Sequence, residues 1–139
     1  MIIAAVILVA LQGTPVEADP VGPISRIPPQ YPAIGAQFGI TASCPAVFDI
    51  SEDGVTYNIC VTCYTSAPDQ IPASTREFIA GEFAEASQQA ISQWQYPERF
   101  SDRTRIYTNI EFMLAEDDGS TIEPPEPGPN TNCRQPETS

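Results

Sequence analysis

Apolar and polar residues alternate over three stretches of this chain, and a fourth repeats at helical spacing. Over residues 44–50, Cys44, Ala46, Phe48 and Ile50 share one face, while Val47 and Asp49 take the other. Ser51-Glu52-Asp53-Gly54 is a turn sequence, with Gly54 free to take positive φ. Residues 55–64 alternate again, with Val55, Tyr57, Ile59, Val61 and Cys63 on one face. A four-residue loop sets Ile50 opposite Val55 and turns both apolar faces the same way. A slip of one residue would face Phe48 and Ile50 with Asn58 and Thr56, so the first register is expected.

Ile79, Phe83, Ala86, Ala90 and Trp94 form one stripe and predict a helix of about 20 residues starting at Ser74 or Thr75. Ser74 and Glu77 have capping-box spacing, and Pro97 ends the element. Trp94, as the last member of the stripe, is expected in the core rather than as a ligand platform. In the last stretch, Ile106, Thr108, Ile110, Phe112 and Leu114 alternate against Tyr107, Asn109, Glu111 and Met113. The order ββαβ predicts an α+β fold, a three-stranded antiparallel sheet packed against one main helix.

The ends of the chain read differently. Residues 1–12 are almost wholly apolar, too short to span a bilayer, which needs about 20 residues, but suited to the hydrophobic region of a signal peptide. Val16 and Ala18 place small residues where a signal peptidase reads, so residues 1–18 are expected to be a signal peptide cleaved before Asp19, or else a short anchor. A buried N-terminal helix is the structural alternative. Residues 19–30 form a Pro-rich linker, and residues 31–115 form the folded domain. The acidic, Pro-rich residues 116–139 are expected to be mostly disordered.

Composition narrows the partners. Eighteen acidic against six basic residues give a net charge of −12, which disfavours nucleic acid and anionic membrane surfaces. Membrane contact is expected only through the N-terminal segment if it is retained. The four cysteines, Cys44, Cys60, Cys63 and Cys133, are an even set in a small chain and point to an oxidising compartment. Three connectivities are open. The hairpin register favours Cys44–Cys63, brought together by twist or a small bulge, which leaves Cys60 on the opposite face for Cys133.

Cys60-Val-Thr-Cys63 also suggests redox or metal-handling chemistry. Its place in a strand, where positions i and i+3 point to opposite faces, argues against a shared site. Asp49 to Gly54 imitates a calcium loop but has Cys60 at the twelfth position, so a hairpin turn is expected. With no histidine and no nucleophile elbow, catalysis finds little support, and no cofactor is expected.

Taken together, Pro29-Gln30-Tyr31-Pro32 with Ala36 and Gly39-Ile40, residues 47–54 with Asn58-Ile59 and Val61, Phe83 to Trp94 with Tyr96-Pro97, and Asn109-Ile110 with Phe112 resemble, in order, the TonB C-terminal domain family. About 85 residues carry the likeness. Two differences stand out: about a dozen extra residues before the helix, and one residue fewer between Tyr96 and Pro97.

The resemblance implies a helix on a three-stranded antiparallel sheet, at the periplasmic end of a system that energises outer-membrane transporters. It also implies a TonB-dependent outer-membrane transporter, or a similar envelope protein, as partner, engaged through an extended peptide added as a strand. Gln30, Tyr31 and Pro32 match the partner-facing lead-in, and Ile106, Thr108, Ile110 and Phe112 lie on the receiving strand. The expectation is therefore a periplasmic binding module and not an enzyme, with an exported redox or metal-handling protein as the alternative.

Overall fold

The computed structural model describes residues 6–12, as backbone, together with residues 25–130 and Cys133. The elements are β1 (Val6–Gln12), α1 (Ala33–Phe38), β2 (Ala42–Ile50), β3 (Thr56–Val61), β4 (Tyr64–Thr65), α2 (Ala73–Ser92), β5 (Arg103–Ala115) and β6 (Thr121–Ile122). They build one antiparallel sheet in the order β1-β5-β2-β3, with β4 paired to β2 and β6 to β5. The ββαβ unit expected from the sequence is present as β2, β3, α2 and β5. The sheet is larger than the expected three strands, because β1 and β6 arise from segments read as leader and tail, and the stretch read as one strand over residues 55–64 divides into β3 and β4.

The fold has two layers, with α2 over one face of the sheet. Ala42, Cys44, Ala46, Phe48 and Ile50 of β2 and Ile110, Phe112 and Leu114 of β5 meet Ile79, Phe83 and Ile91 of α2 in the core. Aromatic side chains pack edge to face at its centre: Phe83 with Phe112 (4.9 Å), Tyr31 with both, and Phe48 with Trp94. Trp94 is buried, as expected. It lies beyond the helix end, however, because α2 stops at Ser92 and the chain turns over the sheet.

Other local expectations need correction. Ser74 lies inside α2, which begins after Pro72 with no side-chain cap, so the S-x-x-E pair forms no capping box. Proline at that boundary sacrifices no helical hydrogen bond.

The hairpin register also differs. Ile50 faces Thr56 and Asp49 faces Tyr57, the alignment the alternation argued against. Ser51 and Val55 bond across the turn, so Val55 belongs to the loop and is exposed. A bulge at Asn58 (φ 52°) then inserts one residue, and Val47 faces Cys60 while Ala46 faces Val61. The bulge restores the inward set, and Ile59 and Val61 rejoin the core.

Gly54 (φ 87°) lies in the turn, where a Cβ would come 2.0 Å from the Tyr96 carbonyl oxygen. Only glycine fits that approach, and Tyr96 N–H donates to the Gly54 carbonyl.

The tail expectation changes most. Residues 116–120 make a turn into β6, and residues 123–130 lie across the outward face of the sheet. The expected cleavage site before Asp19 and the last six residues fall outside the described residues.

Candidate functional site

Three surfaces could receive a partner: the side of β5 away from β2, the lead-in segment beside α2, and the outward face of the sheet. Along β5 the expected receiving residues do not offer side chains. Thr108, Ile110 and Phe112 are buried, and Ile106 is half-buried against the core. What β5 can offer is main chain. On its side away from β2, residues Asn109 to Ala115 pair with β1 in unbroken antiparallel register, from Gln12↔Asn109 to Val6↔Ala115. A seven-residue extended apolar segment therefore occupies the edge on which the sequence resemblance places an incoming peptide.

The lead-in segment is tied down by aromatic and polar contacts. Ser25 and Gln95 exchange main-chain hydrogen bonds. Trp94 Nε1 donates to the Ile27 carbonyl, and the Arg26 guanidinium stacks over the Trp94 ring at 4.6 Å. Of the three residues expected to face a partner, Gln30 is exposed and Pro32 half-buried at the start of α1. Tyr31 is a core residue: its hydroxyl donates to the Ile40 carbonyl at 2.6 Å, and burial raises its pKa. Gln30 lines an open groove of about 480 Å³ between this segment and the Glu82, Glu85 and Gln89 side of α2. Tyr31 and Phe112 meet inside the core, so the two expected contact sets share an interior contact rather than one binding surface.

The outward face holds features the sequence did not disclose. Asp49 stands between two strand irregularities, the bulge at Asn58 of β3 and a second at Arg105 of β5, both at positive φ. Its carboxylate accepts from Asn58 Nδ2 and from the Arg105 main-chain N–H, each at 2.9 Å. One side chain thus satisfies donors that both bulges expose. Further along, Thr41, Ser43 and Thr62 are buried although they point away from the core. Residues 123–130 cover them. Thr41 Oγ1 donates to the Glu123 carbonyl and Ser43 Oγ to the Pro125 carbonyl. Thr62 Oγ1 donates to Asn130 Oδ1, and Asn130 Nδ2 returns a bond to the Pro45 carbonyl. Tyr64 Oη donates to the Pro129 carbonyl, with Gly128 against its ring.

All four cysteines are bridged. Cys44 pairs with Cys63, and Cys60 with Cys133, at Cα separations of 4.1 and 5.5 Å. The Asn58 bulge brings Cys63 level with Cys44 on the inner face. Cys60 faces outward and takes the tail. Cys60 and Cys63 belong to different bridges, so this oxidised form holds no C-x-x-C dithiol. Two disulfides fit an exported or oxidising environment. Among the described residues, no cluster of three or more Cys, Asp or Glu is placed to hold a metal ion. No helix among them is long and apolar enough to cross a membrane.

No protein-family model and no curated protein matches this chain.

Proposed function

We propose that this chain is a periplasmic TonB-like binding module that engages an extended peptide of an outer-membrane transporter by strand addition, within energy-dependent transport. One observation carries the proposal: the side of β5 away from β2 takes a strand along Asn109 to Ala115 without a break in register. Strand addition needs only such an edge, since main-chain N–H and C=O groups supply the affinity and alternate side chains the selectivity. Buried Thr108, Ile110 and Phe112 suit this mode, because they hold β5 rigid while its backbone binds. If export removes residues 1–18, β1 leaves with the leader and the edge opens to a partner. The two disulfides support an exported location.

The test uses mature protein, with its first residue fixed by N-terminal sequencing, immobilised against an outer-membrane extract. The expected result is retention of transporters, together with slowed amide exchange at alternate residues of 109–115 when a transporter N-terminal segment is added. Capture of no transporter, or protection confined to other elements, overturns the proposal.

A further inference from the structure

The strap formed by residues 123–130 differs from an ordinary ordered tail in how it is held. Prolines at 124, 125, 127 and 129 offer carbonyls but no N–H, so the segment cannot extend the sheet. The outward face answers with donors. The hydroxyls of Thr41, Ser43 and Tyr64 each meet a strap carbonyl, two of them contributed by proline. Gly128 lets the strap close on the Tyr64 ring, where a Cβ would lie 2.8 Å from a ring carbon. An aromatic ring beside hydroxyl donors is the chemistry that reads extended proline-rich chains.

The far end of the strap is fastened by Cys60–Cys133. Both cysteines are half-buried and border an open hollow of about 400 Å³, flanked by Asp49, Ile59 and Arg105. In the inner bridge Cys44 is wholly buried and only Cys63 is half-buried. The outer bridge thus offers a soluble thiol two half-buried cysteines beside an open hollow, against one in the inner bridge, and is expected to be reduced first.

We propose that the outward face of β2, β3 and β4 is a binding groove for an extended proline-rich segment, filled in cis by residues 123–130 and latched by Cys60–Cys133. Opening the latch frees the groove for a proline-rich segment supplied in trans. The reductant is a dithiol. Its thiolate attacks one sulfur of the bridge to give a mixed disulfide, and its second thiol resolves that intermediate. Two electrons and two protons pass to Cys60 and Cys133, and the dithiol leaves as a disulfide. The groove uses the outward face of the sheet rather than the main-chain edge of β5 and does not depend on strand addition there.

The experiment treats the full chain with graded dithiothreitol, traps thiols by alkylation, and follows a fluorescent peptide of residues 121–130 by anisotropy. Cys60 and Cys133 are expected to label while Cys44 and Cys63 remain bridged and circular dichroism is unchanged. Peptide binding is expected to strengthen at least about tenfold on opening, even against the tethered tail's millimolar effective concentration. A full-length Cys60→Ser, Cys133→Ser chain should bind without reductant, and Tyr64→Phe in that background should weaken binding. Earlier opening of Cys44–Cys63 overturns the proposal. So does equal peptide binding by the latched and opened forms, or binding indifferent to Tyr64→Phe.

Discussion

The two faces of this sheet are covered in opposite ways. On the inner face, α2 lays Ile79, Phe83 and Ile91 on apolar residues of β2 and β5, and the gain is area removed from water. On the outer face, a strap whose four prolines lack an N–H lies on serine, threonine and tyrosine hydroxyls, and the gain is hydrogen bonding to carbonyls that would otherwise be wet. Each face also has its own disulfide: the inner one joins neighbouring strands, and the outer one ties down a tail. The inner cover combines apolar packing with its bridge. Hydrogen bonds that replace water return roughly 1 kcal/mol apiece, against an ordering cost of about 1–2 kcal/mol per residue, so the outer cover needs its latch.

The largest effect should come from the inner face. Phe83→Ala empties a fully buried site shared with Tyr31 and Phe112 and is expected to cost about 3–5 kcal/mol, read as a shift of the urea midpoint. A loss no larger than that of a surface substitution would remove the contrast between the faces. Next come the bridges. Replacing Cys44 and Cys63 by serine should cost about 3 kcal/mol for a closed loop of this length. Loop length alone would make the outer bridge, which spans 73 residues, worth more. The serine pair at Cys60 and Cys133 is nevertheless expected to cost less than the inner pair, because the native strap also gains freedom. Equal or greater loss there would mean that the strap is part of the core.

A smaller effect is expected at Asp49, where alanine leaves the Asn58 and Arg105 donors to water. About 1 kcal/mol of destabilisation should accompany exchange broadening of both bulge amides in NMR spectra. The smallest concerns pH. Burial, and then Glu123 and Glu126 on the overlying strap, raise the Glu111 pKa above its ordinary 4.5. The docked strap thus favours protonated Glu111. That contribution is complete below the ordinary value and fades as pH rises through the raised one. Glu111→Gln should therefore flatten the acid side of the melting profile, and an unaltered profile would show that strap and β5 do not share a field.

The inner face was legible because burial writes itself as periodicity. The stripe through Ile79, Phe83 and Ala90 and the alternation of residues 106–114 both identify buried sides correctly. The hairpin register was not legible, because alternation assumes one residue opposite one. At Asn58 two residues oppose one, and although asparagine tolerates the positive φ found there, that tolerance does not say where the extra residue falls. The outer face left a weaker trace still. Thr41, Ser43 and Thr62 look solvated, and a segment rich in Pro and Glu looks disordered, since neither carries apolar surface of its own. Of the expected contact residues, Gln30 alone is exposed, because Tyr31 and the inward side chains of β5 are needed for the core.

Local pattern determined, on its own, where the helix and the main strands run, which sides they bury, and that the cysteines fit an oxidising compartment. Tertiary structure decided the bulges, the pairing of residues 6–12 with β5, and the docking of the proline-rich strap. The physical reason is range. Periodicity records each residue's demand for burial, whereas a strand edge or a carbonyl-lined strap acquires meaning only when a segment far away in the chain arrives to bond with it.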